Sequence, residues 1–77
     1  MKVEVTFLQD SWPPQVKVKV EGVTDPRYCD AEACRTICAG FNPYLQTWTP
    51  AALAAIAKAL REACGAGLLS RRFVDPR

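Results

Sequence analysis

A chain of 77 residues, 49% of them hydrophobic and 23% charged, has the composition of one small globular domain and lacks the length for two. So short a chain has little room for an enclosed cavity, which argues against a dinucleotide-sized cofactor, and the absence of histidine removes the commonest general base near neutral pH and the commonest metal ligand. The net charge of +2 is distributed as zero over residues 1–22, −1 over 23–40, +1 over 41–64 and +2 over the tail, so the body is nearly neutral and offers little to a phosphate backbone.

In residues 2–8 the apolar Val3, Val5 and Phe7 alternate with Lys2, Glu4 and Thr6, and in 15–21 Val16, Val18 and Val20 alternate with Lys17, Lys19 and Glu21. A period of two is that of a half-buried strand. Between the two runs, Pro13 and Pro14 cannot donate to a ladder and force a loop. The reading is an antiparallel hairpin over 2–21 with a wide tip at 9–14, ended by Gly22. Two strands are not stable alone, so helices must cover the valine face.

The first helix is expected over about 26–39. Its start has two candidates: Asp25 as cap with Pro26 in the first position, or Asp30 as cap with Glu32 in the first turn. Gly40 is the expected stop. An aromatic loop follows over 41–48, with Phe41, Tyr44 and Trp48. The second helix is expected over 50–64, capped by Thr49, opened by Pro50 and closed by Gly65 in a left-handed position. Along it Leu53, Ile56, Ala57, Leu60 and Cys64 form one apolar stripe, with Lys58, Arg61 and Glu62 on the wet side. The basic tail, 65–77, is a candidate third strand along the hairpin through 68–74, or a mobile end. The fold expected is therefore α+β, a single domain over 1–77 with the hairpin packed against two helices.

Cysteines 29, 34, 38 and 64 admit three readings. With no histidine, a structural zinc would need all of Cys29, Cys34, Cys38 and Cys64, but their spacing lacks the paired C-x2-C knuckles. A disulfide such as Cys38 to Cys64 would require an oxidising compartment. The third reading, small buried apolar side chains, fits best, because Cys34, Ile37, Cys38 and Phe41 share one helical face and Cys64 completes the stripe of the second helix. No metal and no cofactor are expected.

Catalysis is not expected either. A thiolate nucleophile would have only carboxylates and lysines as partners, and Gly65 and Gly67 follow a helix instead of opening one as a phosphate cradle would. The remaining signal lies in aromatics and arginines. Trp12, at the hairpin tip, either stacks on its own prolines or projects, while Tyr44 and Trp48 are more naturally plugs for one end of the core. Lys17 and Lys19 face away from the valines. If the tail runs back along the hairpin, Arg71 and Arg72 extend that basic strip, and Trp, Tyr and Arg are the types enriched at binding hot spots. The candidate partner-binding residues are accordingly Trp12, Lys17, Lys19, Tyr44, Arg71 and Arg72.

A compact chain that opens with a strand hairpin, closes with a basic tail and carries no catalytic motif resembles the small phage-encoded inhibitors of bacterial defence, the anti-CRISPR proteins among them. That resemblance of overall plan implies a stoichiometric inhibitor that occupies the surface of a nucleoprotein complex and blocks it without chemistry. The alternatives are a nucleic-acid-binding accessory protein and a small structural zinc protein that uses all four cysteines. The expected partner is a protein or nucleoprotein complex and not a membrane, with direct nucleic-acid binding the weaker option and a monomer or homodimer as the assembly. The charged N-terminal segment contains no apolar signal core and no run reaches membrane length, so a cytoplasmic location is expected, the host cytoplasm if the protein is phage-encoded.

Overall fold

The computed structural model describes residues 2–44 and 48–75. Leu45, Gln46 and Thr47 of the aromatic loop, and Pro76 and Arg77 of the tail, lie outside them. In chain order the elements are strands β1 (Val3–Leu8), β2 (Gln15–Val20) and β3 (Arg27–Cys29), helices α1 (Ala31–Cys38) and α2 (Pro50–Gly65), and a 3-10 turn at Arg71–Phe73. The class is α+β, as the patterning predicts.

β1 and β2 pair antiparallel with Val3 opposite Val20, Val5 opposite Val18 and Phe7 opposite Val16. Every valine predicted to face inward therefore shares one face of the ladder. A third strand exists, but it is not the tail. After Gly22, whose φ of 86° lets the chain turn back, β3 joins the far side of β2 and completes the sheet order β1-β2-β3. It sets Cys29 opposite Val16 and Tyr28 opposite Lys17. Pro26 lies just before β3, where its missing N–H costs no ladder bond.

That strand shortens the first helix. The predicted span 26–39 reduces to Ala31–Cys38, and of the two candidate caps Asp30 is the one used, its Oδ1 accepting from the Ala33 N–H at 2.8 Å. Thr49 caps α2 in the same way, accepting from the Ala52 N–H at 3.1 Å, with Pro50 in the first helical position.

Both helices end alike. Gly40 N–H donates to Ile37 C=O and Phe41 N–H to Thr36 C=O; Gly67 N–H donates to Cys64 C=O and Leu68 N–H to Ala63 C=O. These are paired Schellman closures, which need a left-handed residue at the position Gly40 (φ 94°) and Gly67 (φ 79°) occupy. Gly65, predicted to be that residue, is instead the last helical residue of α2. The two glycines should respond oppositely to alanine. Gly67→Ala forces a side chain into the left-handed region and is expected to cost about 1 kcal/mol, whereas Gly65→Ala should stabilise by about 0.5–1 kcal/mol, since nothing lies within 4 Å of the added carbon. Thermal melting of the two variants checks the sign of each.

The core is Val16, Val18, Val20, Cys29, Cys34, Ile37, Ala52, Ile56, Ala57, Leu60, Leu69 and Phe73, closed at one end by Trp48. Trp48 thus takes the plugging position read from the loop. Phe41 does not continue the α1 stripe as expected: it is 68% exposed, because the chain leaves the helical path at Gly40. The tail, a candidate strand, contributes core instead. Ser70 accepts from the Arg72 N–H, the 3-10 turn follows, and Phe73 is driven inward to meet Phe7 edge-on with ring centroids 5.2 Å apart.

Candidate protein-binding surface

The hairpin tip is closed by the Ser11 N–H donating to Leu8 C=O at 3.3 Å, and the Trp12–Pro13 bond is cis. Trp12 projects: it is 92% exposed, the most exposed of the large apolar side chains among the described residues, so the reading in which it folds onto its own loop is set aside. Beside it, Pro13 and Pro14 form one wall of a shallow depression of about 220 Å³ whose other walls are Asp30, Glu32, Arg35, Arg72 and Phe73. Three distant stretches of sequence meet here. Phe73 brings the tail under the sheet, and the Arg35 guanidinium donates to Arg72 C=O at 2.6 Å, fixing the tail against α1. The Arg72 side chain remains exposed at the rim, with no carboxylate partner among the described residues.

The other predicted residues fall elsewhere. Lys17 and Lys19 lie on the outer face of the sheet, opposite Thr6 and Glu4 in the ladder. Phe7 and Phe73 meet on the inner face, so the sheet itself separates the lysines from the tail. The single basic strip of Lys17, Lys19, Arg71 and Arg72 expected from a tail running along the hairpin is not formed. Arg71 is bound to Asp75 through Nε and Nη2, at 3.2 and 2.8 Å, as an exposed ion pair, and does not line the depression. Tyr44 is occupied by the chain's own packing. Its ring stands edge-on to Trp48 at 5.7 Å, the Arg27 guanidinium lies 5.5 Å over its centroid, and its hydroxyl donates to Tyr28 C=O at 3.3 Å. Burial and the nearby Cys29 push that hydroxyl's pKa up to about 12, so it stays a donor.

Two residues that the sequence did not single out belong to these surfaces. Tyr28 presents its ring half-exposed on the outer face beside Lys17, and Arg35 anchors the tail. Arg27, Tyr28 and Cys29 show no alternation of polarity, and three residues are too few to establish a period, so the sequence held no signal for Tyr28.

The cysteines do not converge. Cys29 and Cys34 are fully buried, with the Cys34 thiol turned to the Cys29 carbonyl at 3.8 Å, while Cys38 and Cys64 are half-buried on the flanks of α1 and α2. Its hydrogen bond with Cys29 and its burial hold the Cys34 thiol well above the ordinary range, and burial raises Cys38 despite the opposing charge of Arg61. Among the described residues no group of three Cys, Asp or Glu is arranged to hold a metal ion. A recess of about 340 Å³ between Cys38, Leu53, Ala57 and Arg61 is an apolar groove where α1 meets α2 and holds no acid, base and nucleophile together.

Comparison with protein-family models, with curated proteins and with solved structures finds no match for this chain. Among the described residues no helix is long and apolar enough to cross a membrane.

Proposed function

We propose that the protein is a non-catalytic protein-binding module that acts by occupying a partner's surface, and that its most specific role is that of a stoichiometric inhibitor of a host nucleoprotein complex, as anti-CRISPR proteins are. The observation that carries the binding role is Trp12. A tryptophan held at 92% exposure contributes nothing to this core, yet it directly precedes Pro13 and Pro14, which share the walls of one depression with the exposed Arg72, and Trp and Arg are the types enriched at interface anchors. The whole-chain plan supports the inhibitor role, and the near-neutral charge favours a protein target over bare nucleic acid.

The test is titration into a purified CRISPR effector complex with target-DNA binding as the readout. Loss of DNA binding should saturate at a fixed protein-to-complex ratio and should not continue at strongly substoichiometric protein. Trp12→Ala and Arg72→Ala should each weaken the interaction by about 2 kcal/mol, roughly thirtyfold, whereas Lys17→Ala, on the outer sheet face, should change it little. Unchanged affinity in a folded Trp12→Ala, Arg72→Ala double variant would move the interface away from the tip. Direct DNA binding that weakens steeply with salt would favour the nucleic-acid reading instead.

A further inference from the structure

The two edges of the sheet differ. β3 offers three residues and β1 six. The Glu21 N–H donates to Lys2 C=O at 2.8 Å, which extends the β1–β2 ladder by one pair and fixes its phase. In an antiparallel pair main-chain groups alternate in direction, so Lys2, Glu4, Thr6 and Leu8 address β2 while Val3, Val5 and Phe7 turn their N–H and C=O groups to the open edge. Among the described residues no hydrogen bond from outside the ladder reaches those groups. Their side chains tell the same story: Val16, Val18 and Val20 on the central strand are buried, whereas Val3, Val5 and Phe7 on the same face are only half-buried.

We propose that β1 is a self-association edge, through which two copies of the chain pair antiparallel about a twofold axis at Val5 and join their three-stranded sheets into one. The register follows from three requirements. Keeping the apolar faces together demands that odd-numbered residues lie opposite odd-numbered ones, because a slip by one residue reverses every side chain. Placing Val5 opposite the partner's Val5 sets Val3 opposite the partner's Phe7, so all three outward-facing residues find hydrogen-bond partners. The same register faces Glu4 with the partner's Thr6 and Lys2 with the partner's Leu8, so no like charges stand directly opposite. The symmetric register centred on Glu4 would instead place that carboxylate against its own copy. The occupant is therefore a second copy of this chain, whose half-buried Val3, Val5 and Phe7 would be covered by the same residues of its partner.

This association is independent of the Trp12 surface, and its test needs no other protein. Sedimentation equilibrium from the low-micromolar to the millimolar range should show a concentration-dependent dimer. Thr6 is exposed, so Thr6→Glu leaves the fold intact but sets one carboxylate opposite each Glu4, at the two symmetry-related pairs, and it should raise the dimer Kd roughly fivefold. Adding Glu4→Gln to Thr6→Glu removes the opposing carboxylate without setting a lysine against Lys19, and should return the dimer Kd toward the parent value. Val5→Pro should abolish it while the hairpin persists by circular dichroism, since the N–H it removes points away from β2. A chain that stays monomeric at millimolar concentration overturns the proposal. So does a dimer indifferent to Thr6→Glu, or an edge that pairs only with a strand of another protein.

Discussion

Replacing Leu60 by aspartate is expected to unfold the protein. Leu60 is 0% exposed at the centre of α2's inner face, and no buried polar or charged side chain exists among the described residues to receive a carboxylate. Removing a buried leucine costs about 2–5 kcal/mol before any charge is considered. Leaving an unpaired carboxylate in its place costs at least as much again, or forces that group to take up a proton. A domain of this size rarely has more than about 3–5 kcal/mol to lose. Val18→Asp makes a companion on the sheet side of the core. Val18 is 1% exposed, so a carboxylate there is expected to unfold the protein for the same reason. Far-ultraviolet circular dichroism with thermal melting separates the three proteins, and a Leu60→Asp variant melting within a few degrees of the parent would show that the core is placed wrongly.

Phe73→Ala is expected to cost about 3–5 kcal/mol, a large share of the total stability, and to lower the melting temperature by at least about 12 °C. The reason is geometric: Phe73 is 1% exposed, meets Phe7 edge-on and is the residue that fastens the tail beneath the sheet. Its loss empties a space that β1, α1 and α2 cannot collapse to fill without moving the sheet. The neighbouring Arg71→Ala is the control. Its ion pair with Asp75 lies in solvent, so removing it should barely change the melting temperature. Equal melting temperatures for Phe73→Ala and Arg71→Ala would mean that the tail is not part of the core. Because Phe73 also walls the depression beside Pro13 and Pro14, its loss should loosen the position of Arg72 as well.

The α+β class, the hairpin and its inward valines were legible from strict alternation, because a strand packed on one face leaves a period of two in the chain. The same holds for α2, where Thr49, Pro50 and the Ile56, Ala57, Leu60 stripe are local features of helix geometry. What depends on a single residue's φ was less legible. Gly65 and Gly67 are equally plausible helix ends in the sequence, and only the run of main-chain bonds distinguishes the closing residue from the last helical one.

For the candidate surface, the sequence by itself determined that Trp12 lies in a proline-bound loop between two strands, and that Lys17 and Lys19 face opposite the valines. Tertiary structure alone decided which of these share a surface. β3 was hidden because three residues pairing with a strand already committed to β1 carry no pattern of their own; their strand character comes from the partner. The tail reads as a strand by composition but becomes a 3-10 turn because Phe73 gains more by filling the space beneath Phe7 than by adding to an edge. That one insertion carries Arg72 to the hairpin tip, leaves Arg71 paired with Asp75 and puts the sheet between the arginines and the lysines. Local periodicity determines which face a side chain takes, whereas which distant faces meet is set by the shape of the space the core has left to fill.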